Sequence, residues 1–221
     1  MAPRSSPIIA IDGPAASGKG TIAKRLAAHF GFAHLDTGLL YRAVGLIVLN
    51  TFGDPADAST AEKAAHDVGV IPKAMADPSI LREDRISVAA SKVAAHPGVR
   101  AALLKFQRDF CTHPPGGEAG AVLDGRDIGT VIAPTAIAKI YVTASDEARA
   151  QRRFKELQGR GENVTYASVL ADMKERDARD ASRAAAPAKP ARDAVILDTT
   201  TMTADQAFAE AVRIVEQKLN V

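Results

Sequence analysis

Gly13-Pro14-Ala15-Ala16-Ser17-Gly18-Lys19-Gly20-Thr21 fits the pattern G-x-x-x-x-G-K, with Gly20 inserted before the hydroxyl residue. Glycines let a backbone bend until successive N–H groups point inward at phosphate oxygens, and a helix starting there adds positive potential. Lys19 can reach the β and γ oxygens of a nucleoside triphosphate, and Thr21 can approach a magnesium ion directly or through water. The chemistry this spacing offers is the grip of a polyphosphate. A Gly-rich turn without ligand is the plainer reading, and a lysine at this position with a strand before and a helix after argues against it.

Further along, Leu35-Asp36-Thr37-Gly38-Leu39-Leu40-Tyr41-Arg42 sets a hydroxyl and a glycine at a helix start with an arginine one turn on, a second anion site. Asp36 is placed either to hold a magnesium-bound water or Thr21, or to cap the helix, and spacing leaves both open. Asp124-Gly125-Arg126-Asp127-Ile128-Gly129-Thr130 follows an apolar strand, so its side chains emerge at the carboxyl edge of a sheet, on the side of the phosphate loop. Arg126 and Asp127 either pair with each other or meet substrate. Ser91 and Arg100, in the segment Ala90 to Arg100 that joins two helices, would by themselves be surface residues.

Arginines gather on two later helices. Arg149, Arg152 and Arg153 fall at i, i+3 and i+4, and acidic partners are scarce nearby, so an anionic ligand explains that face better than solvation. A lid closing on ATP phosphates is the expectation. Arg176, Arg179, Asp180 and Arg183 share a second face, where pairs such as Asp172 with Arg176 and Glu175 with Arg179 are available, and spacing does not decide between a solvated helix and a site.

The elements that must position these groups follow from periodicity. Ile8 to Ile11 is apolar at every position, as a strand buried on both faces requires. Ile22, Ala23, Leu26, Ala27 and Phe30 recur at helical spacing until Gly31. A short His34 to Asp36 strand leads to a helix from Leu39 to Leu49, and strands are expected at Ala121 to Leu123, Ile140 to Val142 and Ala194 to Leu197. Ser59 to Glu62 and Thr203 to Gln206 both have capping-box spacing. Strands alternating with helices predict a parallel α/β sheet covered on both faces. The stretches 51–85 and 150–182 fit that core poorly and read as inserts.

Composition narrows the class. Hydrophobic residues make up 47% and charged residues 24% of 221, and 28 basic against 26 acidic side chains leave +2, so no overall field points to nucleic acid or membrane. Aromatic content of 5% without tryptophan weighs against a stacking platform for single strands. A single cysteine, Cys111, suits a reducing cytoplasm, and neither a secretory leader at Met1 to Pro7 nor a run of roughly twenty apolar residues is seen.

A guanine-reading switch would need N/T-K-x-D, and Thr143-Ala144-Ser145-Asp146 lacks the lysine. The Gly18-Lys19-Gly20-Thr21 form instead resembles nucleoside monophosphate kinases. With L-D-T-G-x-x-Y-R, A-S-x-V-A-x-x-P-x-V-R, D-G-R-D-I-G-T and the arginine-rich stretch from Lys174 to Arg183, the chain resembles the bacterial cytidylate kinases from its first strand to its last helix. The resemblance implies an α/β P-loop kinase fold: one domain, 1–221, with a central parallel sheet flanked by helices, an NMP-binding insert at 51–97 and a short lid at 150–183. It implies transfer of phosphate from ATP, with Mg2+, to CMP or dCMP, by a cytoplasmic monomer without nucleic-acid or membrane partners.

By that resemblance Arg42 and Arg126 hold the acceptor phosphate; Ser91, Arg100, Asp127 and Arg183 read the cytosine; and Arg176 and Asp180 lie against the ribose. Thr37 joins the substrate set, Lys19, Arg126, Arg152 and Arg153 stabilise the transferring group, and Thr21 and Asp36 serve the metal. A fixed carboxylate at Asp127 would accept from the cytosine amino group and repel the carbonyl of uracil. Two departures touch the shape of the insert: a short segment before Ser91, and an extended connection from Thr112 to Ala119. The competing readings are another small-metabolite P-loop kinase, of UMP/AMP or shikimate type, and a nucleotide-binding regulatory module without transfer activity.

Overall fold

The computed structural model describes residues 6–67 and 78–219, so the 68–77 part of the expected insert and the first five residues lie outside it. Two compact units divide the chain, one formed by residues 1–35 and 110–221 and the other by 36–109. The second unit is wider than the expected insert of 51–97, because the helices on either side of that stretch pack within it.

The first unit is built on strands β1 (Ile8–Asp12), β2 (Ala33–Asp36), β3 (Ala121–Gly125), β4 (Ala138–Thr143) and β5 (Val195–Asp198). Their order is β2-β3-β1-β4-β5, with β1 parallel to both β3 and β4 and β4 parallel to β5. Chain order reverses on the two sides of β1, so the carboxyl end of β1 is the switch point where α/β sheets leave a crevice. Ile9, Ala10 and Ile11 are wholly buried, as a strand covered on both faces requires. Helices α1 (Lys19–Phe30) and, at the other end of the chain, Ala204–Leu219 share one apolar core with β1 and β4 through Leu26, Ile140, Ala211 and Val215. Gly31 ends α1 with φ 65, the left-handed geometry a glycine C-cap supplies.

In the second unit, α2 (Thr37–Asn50), α3 (Ala58–His66), α4 (Pro78–Leu81), α5 (Asp84–Val93) and α6 (Pro97–Thr112) enclose a core of Leu40, Val44, Val48, Ile86, Val93 and Val99. α2 starts two residues earlier than periodicity predicts because Asp36 caps it, its carboxylate accepting from Gly38 N at 3.0 Å. The expected capping box at Ser59 is replaced by a cap at Asp57, which accepts from Thr60 N at 2.7 Å and starts α3 two residues sooner. The box at Thr203 forms as expected, with Gln206 N donating to Thr203 Oγ1 and Thr203 N to Gln206 Oε1.

The remaining helices of the first unit are α7 (Asp146–Gly159), α8 (Tyr166–Ala181) and α9 (Ala204–Leu219). α7 and α8 pack through Ala150, Leu157, Val169 and Met173, and Ala15 and Ala16 of the phosphate loop lie against that cluster. Among the described residues no helix is long and apolar enough to cross a membrane.

Candidate active site

The phosphate loop leaves β1 at Gly13, where a side chain is impossible: a Cβ would sit 2.1 Å from Val142 O. It turns through Ala16 at φ 56 and enters α1 over Gly18 at φ 91. Ala16 therefore holds the left-handed region without being glycine, a strain of roughly 1 kcal/mol stored in the loop itself. Ser17 is fully buried, and its Oγ has no hydrogen-bond partner among the described residues. Lys19 Nζ lies 3.4 Å from Pro14 O, folded back over its own loop.

A cavity of about 200 Å³ opens beside this loop, lined by Gly18, Thr21, Arg152, Thr199, Met202 and Thr203 among others. Arg152 is fixed there by Thr199, with Nη2 donating to its carbonyl at 2.5 Å and Nη1 to its hydroxyl at 3.0 Å. The Thr199 hydroxyl also lies 2.9 Å from Ser17 O. Sequence reasoning had no signal for Thr199, which sits just beyond β5 and becomes part of the loop's wall only through the sheet order.

The expectation that acidic partners are scarce around the Arg149, Arg152, Arg153 face is corrected. Arg149 is buried and bonded to Asp146 at 2.5 Å, to Asp177 at 2.6 Å and to Ala15 O at 3.2 Å, while Arg153 pairs with Glu156 at 3.0 Å. Asp177 belongs to α8, 28 residues away, and helix spacing within α7 could not reveal it. Arg149 thus ties both helices to the apex of the phosphate loop.

The turn after β3 carries the second group. Arg126 Nε donates to Asp180 Oδ2 at 3.1 Å, and Arg183 bonds the other oxygen of Asp180. Burial pushes the Asp180 carboxyl up, yet the guanidinium groups of Arg126, Arg183 and Arg176, with the Arg126 hydrogen bond, outweigh it and hold that carboxyl below the usual range. The α8 face that spacing left undecided is therefore organised around Asp180, alongside an exposed Glu175–Arg179 pair at 3.2 Å. Asp127, next to Arg126, is buried.

Two carboxylates carry no assigned role in the sequence reading, although Asp124 heads the segment placed at the sheet edge. Asp12 ends β1 and Asp124 lies near the end of β3; apolar strands ending in aspartate looked like ordinary turn punctuation. Asp124 is buried, its Oδ2 accepts from His34 Nε2 at 2.8 Å, and among the described residues its Oδ1 is the one contact within 4 Å of a Cβ built on Gly20, at 3.7 Å. Asp12 accepts from Ile128 N and Gly129 N, each at 2.8 Å.

In the second unit, Thr37 is buried at the first position of α2. Arg42 donates to Leu81 O at 2.7 Å and to Ser87 Oγ at 3.1 Å. Ser91 is buried on α5 rather than exposed, and Arg100 is buried with its guanidinium 5.5 Å from the Tyr41 ring centre. Helix register brings Ser91 and Arg100 inward, against the surface positions they would take by themselves. In Asp36, the bond to Gly38 N supports the capping role.

A glycine-bent phosphate loop joining strand to helix at the switch point of a parallel sheet defines a P-loop kinase fold. The chain belongs to the cytidylate kinase family: the model described as cytidylate kinase matches residues 9–217. A protein named cytidylate kinase from Paramagnetospirillum magneticum is 59% identical over 213 residues, covering 96% of this chain and 99% of that one. Another of the same name from Rhodospirillum rubrum is 57% identical, covering 96% and 98%. Among solved structures, an uncharacterised protein from Eubacterium ventriosum shares the fold at 14% identity, with a TM-score of 0.55 over 96% of this chain and 99% of that one.

Proposed function

We propose that the protein transfers the γ-phosphoryl group of ATP to the 5′-phosphate of CMP or dCMP, giving the diphosphate. The observation that carries this reading is a phosphate loop in the same compact unit as the buried Asp127 and the Arg126–Asp180–Arg183 cluster, in a chain of the cytidylate kinase family. The names of its relatives support the acceptor. Neither a metabolite kinase of another type nor a module without transfer activity is favoured by any feature of the fold.

An acceptor phosphate oxygen is already ionised near neutral pH, so no general base is needed. The task is to bring two polyanions in line and to spread charge over the transferring group. Loop N–H groups and Lys19 take the donor phosphates, Arg126 and Arg42 the acceptor phosphate, and Arg152 and Arg153 the donor side. The cavity beside Gly18 and Thr21 takes the donor base, with Arg152 as one wall. Thr37, Ser91, Arg100, Asp127, Arg176, Asp180 and Arg183 bind the cytidine nucleotide, Asp127 accepting from the cytosine amino group.

The Thr21 hydroxyl and the Asp124 carboxylate are hard oxygen donors flanking the start of α1, a set that suits magnesium, which takes one or two carboxylates and fills its shell with phosphate and water. The described residues hold no cluster of three or more His, Cys, Asp or Glu that would build an all-protein cage. Magnesium, when bound, neutralises charge on the β and γ oxygens. A single cysteine, Cys111, buried in the fold, supports a reducing compartment such as the cytoplasm. A coupled assay with ATP across CMP, dCMP, UMP and AMP tests the reading. CMP and dCMP are expected to be turned over far faster than UMP or AMP, and equal rates for all four would overturn it.

A further inference from the structure

We propose that Asp12 is a positioning residue for the acceptor: its carboxylate, at the end of the strand that opens the phosphate loop, clamps the turn carrying Arg126 and Asp127 in one pose. The inference rests on the reading of Asp127 as the residue that recognises cytosine.

The geometry surrounds Asp127 on both sides. Its own carbonyl accepts from Val131 N at 2.9 Å and from Ile132 N and Thr130 Oγ1, each at 3.3 Å. The next two N–H groups, of Ile128 and Gly129, each donate at 2.8 Å to a different oxygen of Asp12. Val131, Ile132 and the Thr130 hydroxyl hold the turn to itself; Asp12 ties it to the sheet, through a residue whose neighbour is Gly13 of the phosphate loop.

A carboxylate buried at the end of a central strand is a costly choice for that purpose, since desolvation disfavours its charge. Burial does push the Asp12 carboxyl up, to about 6, against the lowering effect of the two N–H bonds, with the charge of Asp127 adding to the rise and that of Arg126 opposing it. What such a group supplies is two short, charge-assisted bonds in a fixed fork, and hence a fixed direction for the residue beside them. The turn is also backed by Lys139: a Cβ on Gly129 would meet Lys139 Cδ at 3.2 Å and Asp12 Oδ2 at 3.4 Å. Lys139 Nζ is itself held by Pro134 O at 2.5 Å and by Asp193.

The test compares steady-state kinetics of the full chain and of Asp12→Asn, Gly129→Ala and Asp127→Asn with CMP, UMP, ATP and magnesium, alongside thermal melts. Asp12→Asn keeps the shape but turns one acceptor into a donor facing an N–H; Gly129→Ala crowds the turn against Lys139 and the bonded oxygen of Asp12. Both are expected to raise KM for CMP about tenfold and to lower the CMP:UMP ratio of kcat/KM in the direction of Asp127→Asn, with KM for ATP within about twofold. A purely structural role would lower the melting temperature without moving that ratio.

Wild-type CMP constants in the folded variants would overturn the proposal, and if Asp12→Asn does not fold, Gly129→Ala decides alone. A change confined to ATP or magnesium dependence would also overturn it, by assigning the carboxylate to the donor side. Loss of discrimination in Asp127→Asn but not in the other two would sink the clamp alone. Retention in Asp127→Asn would sink the cytosine reading and the clamp with it.

Discussion

Single residues in this protein divide by whether the fold or a ligand explains them. Lys19 Nζ lies over its own loop, 3.4 Å from Pro14 O, where a donor phosphate would meet it. Lys19→Ala is expected to lower kcat by about a hundredfold or more while the melting temperature stays near wild type; full activity in that variant would remove the phosphate-loop lysine from the mechanism. Gly20 is the complementary case. Among the described residues a Cβ there meets only Asp124 Oδ1, at 3.7 Å, an ordinary contact. Gly20→Ala should therefore fold normally and gain a few tenths of a kcal/mol of helix propensity, yet raise KM for ATP several-fold, because the close approach it prevents is to phosphate. The phosphate loop was legible residue by residue because its chemistry is local. Asp12, Asp124 and Thr199 were not, since each acquires its role from a neighbour 90 to 182 residues away.

Elements meet here at distances that depend on small side chains. Gly45 on α2 faces α5 so closely that a Cβ would lie 3.0 Å from Ala89 Cβ and 3.1 Å from Ala90 N. Because backbone atoms of α5 are among the contacts, a flexible side chain cannot yield alone and a helix must shift. Gly45→Ala is expected to cost about 1–3 kcal/mol, read as a lowered midpoint in denaturant, and an unchanged midpoint would mean the helix pair adjusts freely. Helix periodicity found α2 and its apolar face. Spacing offered Asp36 as a cap for the first turn without deciding it, and the tightness of the seam was out of reach, because Ala89 acts across an interface. The same holds for α7, whose Arg149 seemed to await an anion and instead spends its donors on Asp146, Asp177 and the phosphate loop.

At the scale of the whole molecule, acid stability is a contest between two buried carboxyl groups. Asp12, raised by burial to about 6 from an ordinary 3.8, keeps its proton in the folded chain over a range where the unfolded chain has lost it. Its contribution to stability is therefore fully present below about pH 4 and is lost as pH rises through about 6, a change on the order of 3 kcal/mol. Asp180 runs the other way. Its folded carboxyl is depressed, burial being outweighed by Arg126, Arg183 and Arg176, so its contribution is present above the ordinary carboxylate range and fades as pH falls below it. Thermal melts of wild type and Asp12→Asn should show the difference between them moving in favour of wild type as pH drops from 7.5 to 4.5. A difference independent of pH would mean that Asp12 does not titrate in that window.

From its residues alone, the chain determined the phosphate loop, the strand and helix on either side of it, the parallel α/β class and the resemblance to cytidylate kinases. Those features are written in short spacings and in periods of two and 3.6, which need no knowledge of distant neighbours. Tertiary structure decided which charges are spent and which surround a site. The near-balance of 28 basic and 26 acidic residues became, in three dimensions, Arg149 bound into a helix pair, Asp180 ringed by arginines, and Asp12 holding the turn beside Asp127. The reason is physical: a salt bridge or a carboxylate clamp is defined by a few ångströms of separation, and the sheet order β2-β3-β1-β4-β5 sets those separations between residues far apart in the chain.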